Sequence, residues 1–386
     1  MTLDNMTLDK LRRYAVARAF APPTDLMSAI RRLGYLQADP IRAPARAQDL
    51  ILRHRVNGYF VDDLETQYPA LPLIEDMLHN YGFFPAEHLA LLHPRKISAR
   101  WRAFIDEHRP LRQKLLRYLA ENPEAHPRVV ERVLGAGARI NGWGGTSSAT
   151  TLMLEALHRE GRAHVRRRDK GLRVYAIAPA REGAILAPTA RADGLIELLV
   201  NLYAPLPTRT LMRVIAMMGS NKPEVDFAKR IESMIKRGNY RREIVDGVAY
   251  LWPAHEAIPE AVDDSVRFLA PFDPLVWDRA RFEHLWGWAY RFEAYTPPAK
   301  RKLGYYALPL LWREQIIGWA NTSMSDGKLT VELGFESKKH LRGHTALFNS
   351  CVESETRKYQ EFLCGSARFA ISPRIVSRPS LYPPRR

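Results

Sequence analysis

Apolar positions recur at helical spacing from the first residues onward. Leu8, Leu11, Ala15 and Ala19 share one face of a helix that Thr7-Leu8-Asp9-Lys10 opens and Pro22-Pro23 ends. Leu26, Ile30 and Leu33 line a second, short helix over 24–33, capped at its start and stopped by Gly34. Pro44 suits the first position of a third helix, which turns Ala47, Leu50, Ile51 and His54 inward. Three short helices with tight connections predict the helix-turn-helix layout of a winged helix. The pattern is less regular over 59–93, and 98–122 reads as one long basic helix.

A second helix-turn-helix unit begins near Leu111. Pro127 opens a helix that fades at Gly135 and Gly137, and after the loop 141–145, Thr146 or Ser147 caps another running to Arg159. Residues 163–175 predict a hairpin with its turn at 169–171. A third copy of the plan has helices over 190–202, 208–217 and 223–237, then a hairpin over 240–252 turning at Asp246-Gly247. From Val266 the period changes. Residues 305–312, 315–323 and 328–335 read as antiparallel strands, with turns near 313–314 and at Asp326-Gly327. Helical sequence over 343–363 and a short strand near 368–371 follow, and the tail from Arg374 reads as a surface or frayed segment. The expected fold class is α+β. Tandem winged-helix (helix-turn-helix) domains at 1–95, 96–180 and 181–262 precede a small C-terminal β-barrel with a flanking helix at 263–386.

Composition changes this picture in one respect. With 386 residues, 46% hydrophobic and 26% charged, the chain has ordinary globular proportions. Its 58 Lys and Arg against 42 Asp and Glu leave a net charge of +16, which favours a polyanionic partner, most often nucleic acid. The excess is concentrated: 95–117 carries eight basic and two acidic side chains, and 159–173, over the first hairpin, seven and two. No run of about 18 apolar residues and no signal peptide speaks for insertion in a membrane or secretion. Cys351 and Cys364 are the only cysteines, too few for a disulfide framework, so a reducing cytoplasm is expected. There is no Gly-rich phosphate loop and no HExxH, and the 12 histidines are scattered, so neither cofactor nor metal is expected.

One stretch offers chemistry. Pro40 pushes Asp39 out of the helical region, and in an extended segment residues i and i+2 point the same way. Gln37 and Asp39 then project together, with Leu36 and Ala38 opposite. An amide beside a carboxylate suits the handling of a water molecule. The alternative is a turn in which Asp39 caps the helix starting near Pro44. The residues alone leave both open.

Three runs carry a resemblance. Residues 269–279 (Leu269-Ala270-Pro271-Phe272-Asp273-Pro274-Leu275-Val276-Trp277-Asp278-Arg279), 290–301 and 304–311 (Gly304-Tyr305-Tyr306-Ala307-Leu308-Pro309-Leu310-Leu311) resemble hallmark stretches of the YcaQ/AlkZ-like DNA glycosylases, which unhook interstrand crosslinks. The resemblance implies tandem winged helices and a β-barrel around a concave DNA-binding face. It also implies a catalytic motif, Gln–aliphatic–Gln or Gln–aliphatic–Asp, whose second form is matched by Gln37-Ala38-Asp39, with Arg46 following at the family's position. Two departures stand out: Pro40 replaces the more usual Thr, and His79-Asn80 stands where relatives carry a His-Glu pair.

The activity implied is monofunctional hydrolysis of the N-glycosidic bond of N7-alkylated guanine, including guanines in interstrand crosslinks. Its partner would be double-stranded DNA, met by a monomer in a bacterial cytoplasm. Gln37 and Asp39 are the expected catalytic residues. Arg42, Arg46, His79, Arg166, Arg167, Arg168, Lys170, Arg279, Lys300 and Arg301 are the expected DNA contacts, with Lys300 and Arg301 read as phosphate contacts rather than as a Schiff-base amine. Trp143, Trp277 and Trp312 read either as lesion contacts or as aromatic core. The competing functional class is a non-catalytic tandem winged-helix transcription regulator.

Overall fold

The computed structural model describes residues 6–135, 138–140, 146–179, 185–325, 328–365 and 374–377. The N-terminal helices follow their local signals. Thr7 caps Leu8–Ala19, and the Asp25 carboxylate accepts the Ser28 N–H (2.9 Å) to cap Leu26–Leu33. Gly34 ends that helix at φ +71°, a conformation costly for a residue with a Cβ. The chain then enters a three-stranded antiparallel sheet in the order Leu36–Gln37, Tyr81–Pro85, Leu73–Met77. The third helix starts at Ala47, not at Pro44, and Arg46 in an extended conformation precedes it.

The long basic helix is two. Ala99–Glu107 and Arg109–Glu121 are separated by His108, and Pro110 falls in the first turn of the second helix. A proline there loses no intrahelical bond, whereas inside one continuous helix it would break one. Pro127–Leu134 and Ala149–Arg159 follow. Ser148, rather than Thr146 or Ser147, caps the latter by accepting the Thr151 N–H (3.1 Å). The hairpin Ala163–Asp169/Leu172–Ile177 turns through Lys170 and Gly171, both at positive φ. The next unit has helices Pro188–Tyr203, Thr208–Met217 and Phe227–Lys236, then the hairpin Tyr240–Val245/Val248–Pro253, to whose second strand Leu206–Pro207 adds an edge.

The C-terminal sheet runs in chain order through Val266–Phe268, Leu308–Trp312, Gln315–Ser325, Lys328–Phe335 and Arg374–Ser377. The first four strands are antiparallel neighbours and the last pairs parallel, so the tail at 374–377 is part of the sheet rather than frayed. The turn Asp326-Gly327, the strand expected near 368–371 and Trp143 lie outside the described residues. The expected β-barrel is not closed among the described residues: the sheet is open, with Val266–Phe268 and Arg374–Ser377 at its two ends. The helix Thr345–Cys364 gives the physical reason. It buries Phe348, Val352, Tyr359 and Phe362 against the sheet, with Phe348 edge-on to Trp312 at 5.5 Å and Tyr359 edge-on to Phe268 at 6.1 Å. That helix covers the apolar face that closure would have buried.

Two buried ion pairs fasten the N-terminal unit to the C-terminal region, one on the covering helix and one at the turn Pro274–Trp277. Arg53 pairs with Glu355, which also accepts the Phe268 N–H (3.1 Å), and Arg55 pairs with Asp273 through two bonds (2.8 and 3.1 Å). No helix among the described residues is long and apolar enough to cross a membrane.

Candidate active site

The Gln37–Asp39 segment is held by backbone on one side and side chains on the other. Leu36 and Gln37 pair with Phe83 and Gly82, and the Ala38 N–H donates to the Tyr81 carbonyl (3.0 Å). Gly82 is required for this approach, because a Cβ there would meet the Leu36 carbonyl oxygen and the Tyr35 ring at 2.4 Å. The Asp39 N–H donates to Gln48 Oε1 (3.1 Å), and Asp39 Oδ1 accepts the Ile41 N–H (2.9 Å). Asp39 thus closes a tight turn onto Ile41 and does not cap the third helix. Its side of the alternation is polar, while Leu36 and Ala38 pack on the core.

Electrostatics separate Asp39 from an ordinary surface carboxylate. The residue is 9% exposed, and burial raises its carboxyl above the usual range, opposed by the Ile41 N–H bond. Its Oδ2 accepts no hydrogen bond from the described residues. Gln37 is half-buried, and its Oε1 accepts from Asn80 Nδ2 (3.2 Å), so Asn80 takes up a role toward Gln37 that a carboxylate could fill only as an acceptor.

Three of the expected DNA contacts are redirected into the protein. His79 is 7% exposed among Tyr35, Tyr203 and Trp277, its ring 4.7 Å from Trp277 and its Nε2 3.2 Å from the Tyr203 hydroxyl. Burial drives its pKa down to about 3, so it is neutral at physiological pH and offers no cation to a phosphate. Arg168 is committed to Glu75 through two bonds (2.9 and 2.6 Å). Arg279 donates to the Val276 and Pro271 carbonyls (2.6 and 2.9 Å) and lies over Tyr290, fastening the 271–279 segment.

The remaining cations divide by exposure. Arg42, Arg166, Lys170 and Lys300 are exposed, although Arg42 pairs with Asp62 (2.5 Å) and Arg166 donates to the Pro69 carbonyl (3.0 Å). Arg46 pairs with Glu65, Arg167 with Glu124 (2.8 Å), and Arg301 donates to the Thr296 carbonyl (2.7 Å). The hairpin Ala163–Asp169/Leu172–Ile177 is docked on the N-terminal unit: Gly171 N–H donates to Glu65 Oε1 (3.0 Å) and Tyr68 to the Val165 carbonyl (2.9 Å). Trp312 is core at 2% exposure, and Trp277 is half-buried, stacked on Tyr203 at 5.1 Å. Gln48, which holds the Asp39 N–H, is not marked in the sequence: it lies nine residues beyond the atom it holds, with nothing local to point to it.

A neighbouring carboxylate carries a pH signature. Asp49 is 2% exposed, accepts the Tyr59 hydroxyl (2.7 Å) and the Asp62 N–H (3.3 Å), and is pushed up by burial to about 6. A carboxyl whose folded pKa exceeds its unfolded one stabilises fully below the unfolded value and loses that stabilisation as pH rises through the folded value. Asp49→Asn keeps the acceptor without the charge. Its Tm relative to wild type is expected to rise between pH 4.5 and 7.5, by the equivalent of about 2 kcal/mol; a difference independent of pH would contradict this.

Among the described residues no group of three His, Cys, Asp or Glu side chains is placed to hold a metal ion. Residues 30–362 match the family of AlkZ-like DNA glycosylases. Among solved structures the chain is similar in fold to the Streptomyces sahachiroi DNA glycosylase AlkZ, with a TM-score of 0.60 at 15% identity, covering 97% of this chain and 99% of that one. With the family match spanning the Gln37–Asp39 segment and the hallmark runs alike, the chain belongs to the AlkZ-like family of DNA glycosylases.

Proposed function

We propose that this glycosylase hydrolyses the N-glycosidic bond of N7-alkylated guanine in double-stranded DNA, including guanines tied into interstrand crosslinks, and that it acts as a monomer without lyase chemistry. The observation that carries the reading is the Asp39 carboxylate, two residues from Gln37: largely buried and fixed by one oxygen to Ile41, with the other accepting no hydrogen bond from the described residues.

Alkylation at N7 makes the guanine a cation and a good leaving group. As the C1′–N9 bond breaks, its electron pair passes to the base, which departs neutral, and positive charge develops on the sugar. Asp39 stabilises that charge and takes a proton from the water whose oxygen bonds to C1′, as carboxylates do in sugar hydrolysis. Gln37 orients the water or the sugar phosphate. The units built of helices followed by a hairpin serve as winged helices, and Arg42, Arg166, Lys170 and Lys300 are the cations best exposed to meet phosphates, with Arg46, Arg167 and Arg301 behind them.

The experiment is a duplex with one N7-linked interstrand crosslink, resolved by denaturing electrophoresis. Wild type is expected to convert the crosslinked species into two separated strands. Tight binding with no separation, alongside release from a simple N7-methylguanine, would confine the activity to monoadducts. Sequence-specific binding with release from neither would favour the transcription regulator.

A further inference from the structure

Between the Arg279–Trp286 helix and the Leu308–Trp312 strand, a loop carries Tyr295, which at 80% has the highest exposure of any large apolar side chain among the described residues. The loop beneath it is firmly built. Glu293, 7% exposed, draws its two ends together by accepting the N–H groups of Lys302 (2.9 Å), Leu303 (2.8 Å) and Gly304 (3.2 Å). The Thr296 N–H donates to the Glu293 carbonyl (2.9 Å), and Arg301 returns to the Thr296 carbonyl. Phe292 braces the ring from behind: it meets Tyr295 edge-on at 6.2 Å, Tyr306 at 5.2 Å and Phe272 at 5.2 Å. Tyr295 is therefore a mounted ring, and its ordering cost is met in the free protein.

Its neighbours fit a nucleobase. Phe292 ties the loop to Tyr306 (5.2 Å), and the Asp39 charge is among those that act on the hydroxyls of both Tyr306 and Tyr295, so the loop faces the Asp39 side of the molecule. Exposed Arg291 and Lys300 share the loop, and Arg301 lies 5.0 Å over Tyr305, itself 44% exposed. These cations suit phosphates but repel a base that carries positive charge. Selection of an alkylated purine over a neutral one must then come from groups that favour cations, and the open face of an electron-rich ring is one.

We propose that Tyr295 is the residue that discriminates the lesion, stacking its ring on the alkylated purine and preferring the cationic base to a neutral one of the same shape. The inference rests on the glycosylase reading above. Stacking on an exposed ring needs no closed pocket, which suits a base still tethered to the opposite strand.

The test compares binding of two duplexes by the full chain. One carries 2′-fluoro-N7-methylguanosine, cationic and resistant to hydrolysis; the other carries 7-methyl-7-deazaguanosine, the neutral isostere. Wild type is expected to prefer the cationic duplex by about 3–30-fold. Tyr295→Leu should shrink that ratio at least about threefold, and Tyr295→Phe should preserve it. Affinity for undamaged duplex should stay within about twofold in both variants, because stacking on the lesion is absent there. A ratio unchanged in Tyr295→Leu would overturn the inference while leaving the glycosylase reading intact, provided wild type releases base from an N7-methylguanine duplex. Absence of that release would sink both.

Discussion

Asp39→Asn is expected to slow base release from N7-methylguanine DNA by about 10²–10³-fold, with DNA affinity nearly unchanged. The substitution is close to isosteric. Asn keeps an oxygen for the Ile41 N–H, and the backbone N–H remains on Gln48 Oε1, so the turn that aims the side chain survives. What goes is the negative charge that would face the developing sugar cation. The same account sets the pH dependence. Burial raises the Asp39 carboxyl, so the wild-type rate should be flat at higher pH and fall as pH drops through a value above that of an exposed aspartate. The Asn variant should lose this acid limb and run flat. Single-turnover rates across pH measure both. An Asp39→Asn enzyme with wild-type rate, or one that retains the acid limb, would remove Asp39 from the chemical step.

Asp273→Ala is expected to destabilise the fold by about 3–5 kcal/mol, most of it the cost of leaving Arg55 charged and buried without its partner. The pair is nearly inaccessible, with side-chain exposures of 4% and 0%. Asp273 also accepts the Leu275 N–H (2.9 Å) and so caps the Pro274–Trp277 turn, while Arg55 donates to the Ile51 carbonyl (2.8 Å). The bond therefore joins the residues just past the third helix to the hallmark run that carries Trp277 and Arg279. Urea unfolding of Asp273→Ala, Arg55→Met and the double variant checks this. The double variant should lose less than the sum of the single losses, since it leaves no orphaned charge. Additive losses would mean that the two side chains do not act as a pair. Unlike Asp39→Asn, Asp273→Ala should lower the apparent activity together with the folded fraction.

What the sequence disclosed and what it concealed follow from the range of each signal. The capped start of the second helix, the Gly34 stop and the Asp246-Gly247 hairpin turn are settled within four residues of chain, and each stands where the pattern placed it, with Asp25 supplying the cap. The break at His108 was also local, since Pro110 marks it, but the basic periodicity over 98–122 masked the proline. Arg168 is a longer-range case. Three consecutive arginines on a hairpin look like a phosphate grip, yet the partner of one, Glu75, lies 93 residues away. Closure of the C-terminal sheet was equally beyond local pattern: three of its strands were legible, but whether its edges meet depends on what the Thr345–Cys364 helix covers. At the site, the extended conformation that the pattern predicts is found at Gln37, within the strand Leu36–Gln37, while Asp39 lies two residues past it in the turn onto Ile41. The Gln48 and Asn80 contacts were not readable, because they exist only after folding brings 48 and 80 to the strand.

The most direct measurement is a single-turnover reaction of wild type with a duplex bearing one N7-methylguanine, following the free base and the strand separately. The account predicts free 7-methylguanine at a rate well above spontaneous loss, with the damaged strand intact until alkali cleaves it at the abasic site. No base release above the spontaneous rate would contradict hydrolysis at this site, and a strand cut without alkali would replace the hydrolytic mechanism with lyase chemistry.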